Sequence, residues 1–326
     1  MFLTVTRENG TSMAHGIEKR SGNGLRSYSC PLRKHNMIYY FLLAASIVLA
    51  VSKSALYNSY AKQSELTLFS IFRFHAMSYC VAAVISLIGL LVASQSISSS
   101  TVVCAFFYAV IVIGLQTVLI SAMSMGAMST TSIFVMYGMI IPSISGPIFW
   151  EETVGILQVI GMLMMLLSLW LIRDRTPGEK STIARKWLVL AGIAFLLSGM
   201  AGVMEKIHQS TDARNEQFSF VFVACGFILL FSLVTMGFTR KKKTAPTKSA
   251  SILALLSGLV VGGYSTINLA LAGGLDSMIY YPIANGGAML LTVLVSVIFL
   301  KEKFNRVRMT GVIMGLAGIL CLSIPV

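Results

Sequence analysis

The sequence predicts an all-α integral membrane protein with ten transmembrane helices, arranged as two inverted five-helix repeats. Three observations lead to this prediction. Of the 326 residues, 56% are hydrophobic and only 11% are charged, with a mean hydropathy of +0.81, which is a membrane-protein composition. Ten apolar runs follow one another with short gaps between them. The end of the chain also repeats an earlier stretch at an offset of 150 residues.

Each apolar run is predicted to be a helix, because it is too long for a buried strand and carries few charges. In chain order the runs cover 38–58, 70–93, 100–121, 127–149, 155–173, 187–206, 217–238, 250–272, 277–300 and 307–325. We expect the polar residues 1–36 to be a disordered tail or an over-long gene start, since Met37 opens the first run. The rest divides into a first repeat at 37–173, a linker at 174–186 and a second repeat at 187–326.

The two halves end in the same pattern. Residues 149–152 (FWEE) align with residues 299–302 (FLKE), and Gly161 then aligns with Gly311. Each half holds five runs, and because five is odd the second half must enter the membrane from the opposite side. Inverted repeats of this kind are typical of secondary transporters.

Positive charge is distributed unevenly between the connections. Those after the first, third, fifth, seventh and ninth runs hold fifteen lysines and arginines, against two in the other connections and six in residues 1–36. The positive-inside rule therefore places the odd-numbered connections in the cytoplasm and both termini outside. The net charge of +13 is spread over these connections and forms no single face, so we expect no nucleic-acid binding.

No motif indicates a cofactor, a metal site or catalysis. The five cysteines form no CxxC pair and the four histidines are scattered. Neither a dinucleotide-binding GxGxxG after a strand nor a Walker A lysine is present. We therefore expect no cofactor, no metal and no enzyme activity. The expected partners are the lipid bilayer and a small-molecule substrate, and a homodimer is left open.

Two ionisable residues inside the runs are candidates for substrate binding or gating, because charge within a bilayer is costly. Lys53 lies in the first run and Glu205 near the end of the sixth. An interfacial position is the alternative for each of them. Since the first and sixth runs cross the membrane in opposite directions, we expect Lys53 and Glu205 to approach opposite faces and not to pair. Under the repeat they could serve as equivalent gates.

Prolines in the fourth and ninth runs point to a central site. Pro142 and Pro147 lie in one run and Pro282 in the other. A proline frees the carbonyl one turn earlier, and in a membrane that group must face protein, water or ligand. Breaks in corresponding helices of two repeats mark the substrate site. Further candidates for that site, with helix packing as the alternative, are Tyr57, Asn58, Gln116, Tyr137, Asn268, Tyr281 and Asn285.

Three stretches resemble a known family. Residues 277–324 (SMIYYPIANGGAMLLTVLVSVIFLKEKFNRVRMTGVIMGLAGILCLSI) resemble the closing helix pair of the EamA-like transporters of the drug/metabolite transporter superfamily, and are similar to the end of the small multidrug resistance proteins. Residues 149–171 (FWEETVGILQVIGMLMMLLSLWL) resemble the matching end of the first EamA repeat, and GVMEKIHQ at 202–209 resembles the sixth helix of some bacterial members. The resemblance covers about 37–325. It implies a ten-helix carrier for small metabolites, often an exporter, that works by alternating access.

The expected function is therefore a secondary transporter of a small organic metabolite or drug-like amphiphile in the plasma membrane. Members of the family are usually described with both termini in the cytoplasm, opposite to the charge distribution here, so the direction of transport stays open. One alternative is a non-transporting multi-span membrane partner of an enzyme or lipid-handling complex. An intramembrane enzyme is the other, and the lack of clustered His, Asp or Cys in the runs argues against it.

Overall fold

The computed structural model describes residues 36–63, 66–126, 128–150, 155–172, 181–239, 248–275, 277–299, 301 and 305–322. The described residues form helices and no strand, as predicted. The helices are α1 (Asn36–Gln63), α2 (Leu68–Ala93), α3 (Ser99–Met125), α4 (Met128–Met136), α5 (Ile140–Phe149), α6 (Ile156–Ile172), α7 (Ser181–Gln209), α8 (Gln217–Phe238), α9 (Lys248–Gly274), α10 (Ser277–Ile298) and α11 (Arg306–Leu322), with 3₁₀ turns at Tyr137–Met139 and Asp212–Asn215.

Seven helical stretches among the described residues are long and apolar enough to cross a membrane: Ile38–Gln63, Leu68–Ala93, Ser99–Met125, Met128–Phe149, Arg185–Gln209, Gln217–Phe238 and Lys248–Gly274. Three shorter apolar stretches lie at Ile156–Met165, Ile283–Ile298 and Met309–Cys321. Large apolar side chains such as Leu91, Leu163 and Leu320 are exposed on the outer faces. So much exposed apolar surface is what a surrounding bilayer covers.

Several helices extend beyond the apolar runs that predicted them. α1 continues to Gln63, and α7 begins at Ser181, so the predicted linker at 174–186 was too long and its last six residues belong to α7. Polar side chains at a helix end sit at the headgroup level without breaking the helix. The rest of that linker, the tail 1–35 and the acidic residues of the two repeated turns lie outside the described residues.

Pro142 accounts for the break in the fourth predicted span. A proline has no N–H to donate to the carbonyl four residues earlier, which belongs to Gly138, and the chain tightens into the 3₁₀ turn there. A Cβ built on Gly138 would lie 2.7 Å from the Phe195 carbonyl oxygen, so α7 crosses directly over this turn. α10, in contrast, runs through Pro282 as one α-helix, and the interruption expected there is not seen.

Three apolar clusters hold the described part of the bundle together, and the smallest joins α3, α4 and α7. The largest surrounds Tyr57, Phe74 and Phe220 and joins α1, α2, α3, α8 and α9, with single residues of α4 and α7. A second surrounds Tyr137 and Met289 and joins α4, α6, α10 and α11 with parts of α1 and α9. α2 packs closely against α8 and α9, α3 against α7 and α8, and α6 against α11. A space remains where these groups of helices meet.

Candidate functional site

A cavity of about 130 Å³ lies in the interior of the bundle. Its wall is formed by α1, α2, α3, α4 and α5 from the first predicted repeat and by α7, α8, α9 and α10 from the second. That volume is about ten times the minimum that one buried water molecule needs. The wall differs from the surrounding core because it carries charged, amide and phenol groups beside the apolar ones.

Lys53 supplies the positive charge of this wall. It lies half-buried on α1, on the same helical face as Ser46, Ala50 and Ser54, which also line the cavity. Its Nζ lies 4.1 Å from the centre of the Tyr264 ring on α9. A cation over the face of an aromatic ring is attracted by the ring quadrupole, more strongly when water is excluded. The Lys53 ammonium is therefore oriented by α9.

Glu205 supplies the negative charge from α7. The residue is 8% exposed, and its Oε1 accepts a hydrogen bond of 3.0 Å from the Tyr108 hydroxyl on α3. A buried carboxylate needs such donors, since an unsatisfied one carries a large desolvation cost. One partner leaves most of its acceptor capacity available to a group inside the cavity.

Lys53 and Glu205 line the same cavity. The expectation that they approach opposite membrane faces was therefore wrong. The error lies in the helix ends: α1 continues ten residues past Lys53, to Gln63, which places Lys53 near the middle of its helix.

Three further candidates from the sequence, Tyr281, Asn285 and Pro142, also line the cavity. The Tyr281 hydroxyl donates a 2.8 Å hydrogen bond to the Gly202 carbonyl, and Asn285 Nδ2 donates a 2.9 Å bond to the Tyr281 carbonyl. A Cβ on Gly202 would lie 3.0 Å from Pro142 Cγ and 3.2 Å from Tyr281 Cε1. This glycine lets α5, α7 and α10 meet at one point of the wall.

Amide groups from α3 and α9 complete the polar lining. Asn268 Oδ1 accepts a 2.6 Å hydrogen bond from Ser46 Oγ. Gln116 accepts from the Tyr57 hydroxyl and donates to the Tyr79 hydroxyl. Ser132 is also buried on the wall, and its Oγ has no hydrogen-bond partner within the described part of the chain. A buried hydroxyl at a cavity wall is satisfied by a ligand or by water.

Other predicted residues lie away from the cavity. Tyr57 is fully buried and reaches the wall only through its hydrogen bond to Gln116, and Asn58 is buried beside it. Tyr137 hydrogen-bonds Ser168 of α6 and so joins the fourth span to α6. Pro147 lies inside α5 and Pro282 inside α10. Pro147 is not among the described residues that line the cavity.

The prediction missed Tyr108 and Tyr264, which hold the two charges, and Ser46 and Ser265 beside them. The sequence did contain a pattern that could have identified them. On α9 the lining residues are 261, 264, 265 and 268, and on α7 they are 198, 201, 202 and 205. Polar and small residues at this spacing share one face of a helix. This face could therefore have been predicted from the sequence of each run.

The described residues hold no group of three or more His, Cys, Asp or Glu side chains close together. No family model and no curated protein matches the chain. Solved structures do share its fold, and 28 chains match. One of them, described only as "Crystal structure of protein", superposes with a TM-score of 0.63 at 13% identity and covers 87% of this chain and 96% of its own. At that identity the likeness shows the fold alone.

Proposed function

We propose that this chain is an EamA-like secondary transporter, which moves a small organic metabolite or drug-like amphiphile across the plasma membrane by alternating access between two inverted five-helix repeats. The observation that carries the proposal is the central cavity. It combines Lys53 and Glu205 with amide and phenol groups inside a membrane protein. Charges inside a bilayer protein are costly, and packing alone does not require them. Binding a polar solute between the repeats accounts for them.

Hydrogen bonds between connections support ten membrane crossings. Glu216 accepts hydrogen bonds from Ser96 and Ser98, which puts the connection before α8 beside the connection after α2. A chain that leaves and returns to one membrane face crosses an even number of times. α3, the α4–α5 segment and α7 supply three crossings, so α6 supplies the fourth. α11 runs antiparallel beside α6, with Gly318 next to Gly161, and this supports a crossing by α10 and α11 as well.

The packing supports a two-fold relation between the repeats. If α7 to α11 repeat α1 to α6, the contact of α2 with α9 corresponds to that of α8 with α3, and both are close. α7 breaks the symmetry, because it packs closely on α3, α4 and α5. Its counterpart α1 meets α9 and α10 chiefly through side chains, such as Ser46 with Asn268. A carrier open to one side at a time requires such an asymmetry.

A ligand screen followed by flux measurement tests the proposal. The purified protein would be screened by thermal shift against metabolites and drug-like amphiphiles, since a ligand at a hundredfold excess over Kd stabilises by about 2.7 kcal/mol. Hits would then be tested for saturable uptake into proteoliposomes. We expect Asn285→Ala to abolish both signals, because Asn285 lines the cavity. Asn58→Ala is the matched control, since Asn58 is buried nearby and does not line it.

The opposite result is equally informative. Loss of binding in Asn58→Ala but not in Asn285→Ala would place the ligand elsewhere. A folded protein that gives no hit and no saturable flux would contradict the transporter, and co-purification of a stable protein partner would then favour a non-transporting membrane subunit.

A further inference from the structure

The cavity wall carries one charge of each sign. Among the described residues that line it, Lys53 and Glu205 are the charged ones, so the wall is neutral overall and dipolar. The two groups come from α1 and α7, the opening helices of the two proposed repeats. No ion pair joins them in the described part of the chain. Each is held by an aromatic residue of another helix instead, Tyr264 for the ammonium and Tyr108 for the carboxylate.

This arrangement is unfavourable for an empty or an apolar site. Two opposite charges that can approach each other in a low-dielectric interior would gain from pairing directly. Here each charge is held by an aromatic partner on another helix, and both charged residues line the same cavity. Opposite charges that are held apart and directed at one cavity are complementary to a solute with the reverse arrangement of charge.

The rest of the wall limits the size and character of that solute. Apolar side chains such as Val112, Leu119 and Met136 lie beside the polar ones. They favour a short apolar body between or beside the charged ends. A volume of about 130 Å³ excludes a large amphiphile in this state of the protein. The neutral donors and acceptors, such as Asn268 and Gln116, add hydrogen bonds without changing the charge balance.

We infer that the cavity binds a small dipolar solute, one that carries a cationic and an anionic group on a short apolar body. Its cationic group lies against Glu205 and its anionic group against Lys53. A solute with a single charge leaves one of the two protein charges uncompensated, and that cost lowers its affinity. The inference rests on the proposed transport function and narrows its substrate class.

Two sets of matched probes test the inference. In each set the apolar body is constant: leucine, isopentylamine and 4-methylpentanoate form one set, and alanine, ethylamine and propanoate the other. Binding to the full-length protein in detergent would be measured by calorimetry, and uptake by proteoliposomes. We expect at least one dipolar probe to bind about tenfold or more tightly than both of its singly charged partners, as expected for a lost charged hydrogen bond.

Substitutions at the two charges should change selectivity in opposite directions. Lys53→Met should weaken the dipolar probe about tenfold while sparing or improving the amine, and Glu205→Gln should weaken the dipolar probe while sparing or improving the acid. The double variant Lys53→Met/Glu205→Gln should discriminate among none of the three. Lys62→Met is the control, because Lys62 is an exposed lysine on the same helix. General damage to the fold would weaken every probe together, which separates it from a change in selectivity.

The outcomes separate this inference from the transport function. If neither dipolar probe is preferred over its partners, or if both charge variants respond alike, the inference is overturned. Saturable flux of any other solute that depends on Asn285 would still support the transporter in that case. If a single-charge probe is preferred, the site is a cation or an anion site and the charge left over has another role.

Discussion

Glu216 shows how one side chain joins distant parts of this chain. Its carboxylate accepts hydrogen bonds from Ser96 Oγ at 2.8 Å, Ser98 N–H and Oγ at 2.9 Å each, and Thr101 Oγ1 at 2.6 Å. Partial burial acts to raise the pKa of Glu216, but the hydrogen bonds from Thr101, Ser98 and Ser96 outweigh it and lower the pKa from 4.5 to about 2. The ionised form therefore ties the connection after α2 to the start of α8.

The depressed pKa predicts how stability depends on pH. The ionised Glu216 carboxylate stabilises the fold fully above about pH 4.5, and this contribution is lost as the pH falls through about 2. Glu216→Gln should lower the melting temperature at pH 7 by about 1–2 °C, a change of order 1 kcal/mol in a protein of this size. It should also reduce the loss of stability between pH 4.5 and 2 relative to the parent. Thermal unfolding in detergent across this range measures both effects.

Asp212→Asn is the control for this experiment. Asp212 is exposed on the 3₁₀ turn just before Glu216, and its replacement should leave the melting temperature and the acid response unchanged. If Glu216→Gln and the parent protein lose equal stability between pH 4.5 and 2, protonation of Glu216 is not the cause of that loss.

At the scale of the helices, hydrophobicity and length located each element. The run at 217–238 coincides with α8, and the run at 70–93 differs from α2 by two residues at one end. Membrane helices are readable from sequence because every backbone polar group in lipid must be satisfied within its own segment. The end of α1 and the start of α7 could not be predicted in this way, because the last turns of α1 and the first turns of α7 are polar and lie outside the apolar runs.

The sequence also does not show which helices cross each other closely. Gly258 on α9 illustrates why. A Cβ on this residue would contact the Ser78 carbonyl oxygen and lie 2.7 Å from Val81 Cβ on α2. Ser78 Oγ donates a 2.9 Å hydrogen bond to the Ala254 carbonyl at the same crossing. Small residues allow such close approach in membranes. A glycine in the sequence does not predict which helix packs against it.

Gly258→Ala should therefore force α2 and α9 apart. We expect a destabilisation of about 1–3 kcal/mol, the usual cost of overpacking a close interface. Gly226→Ala on α8 is the matched control, since among the described residues no side chain and no other helix lies within 4 Å of a Cβ there. It should leave stability unchanged or raise it by up to about 1 kcal/mol through helix propensity. Thermal unfolding of the two variants in one detergent compares them, and similar losses in both would refute the steric argument.

At the scale of the whole molecule, the sequence could predict which residues are polar within the spans but not which spans face each other. Asn285 and Tyr281 were chosen as candidates because they lie near a proline in a polar stretch. Lys53 and Glu205 were chosen individually, and the cavity that both line depends on how far α1 and α7 extend and on how the helices pack. The packing of the helices is determined by many contacts between residues more than a hundred positions apart, such as Ser78 with Ala254. These contacts cannot be predicted from one sequence.

The crossing number and orientation can be tested together with single cysteines. The natural cysteines would first be replaced at Cys30, Cys80, Cys104, Cys225 and Cys321. Ile97→Cys would report the connection after α2, and Lys62→Cys and Asn305→Cys the connections after α1 and α10. With ten crossings and the positive-inside orientation, a membrane-impermeant maleimide should label Ile97→Cys in intact cells. The other two cysteines should react only after permeabilisation.

Each alternative pattern of labelling has its own meaning. If Asn305→Cys is labelled together with Ile97→Cys, α10 does not cross the membrane and the ten-helix repeat is refuted. If Lys62→Cys and Asn305→Cys are labelled and Ile97→Cys is protected, the repeat stands and the protein is inverted. The termini would then be cytoplasmic, and the basic connections would face outward against the charge rule.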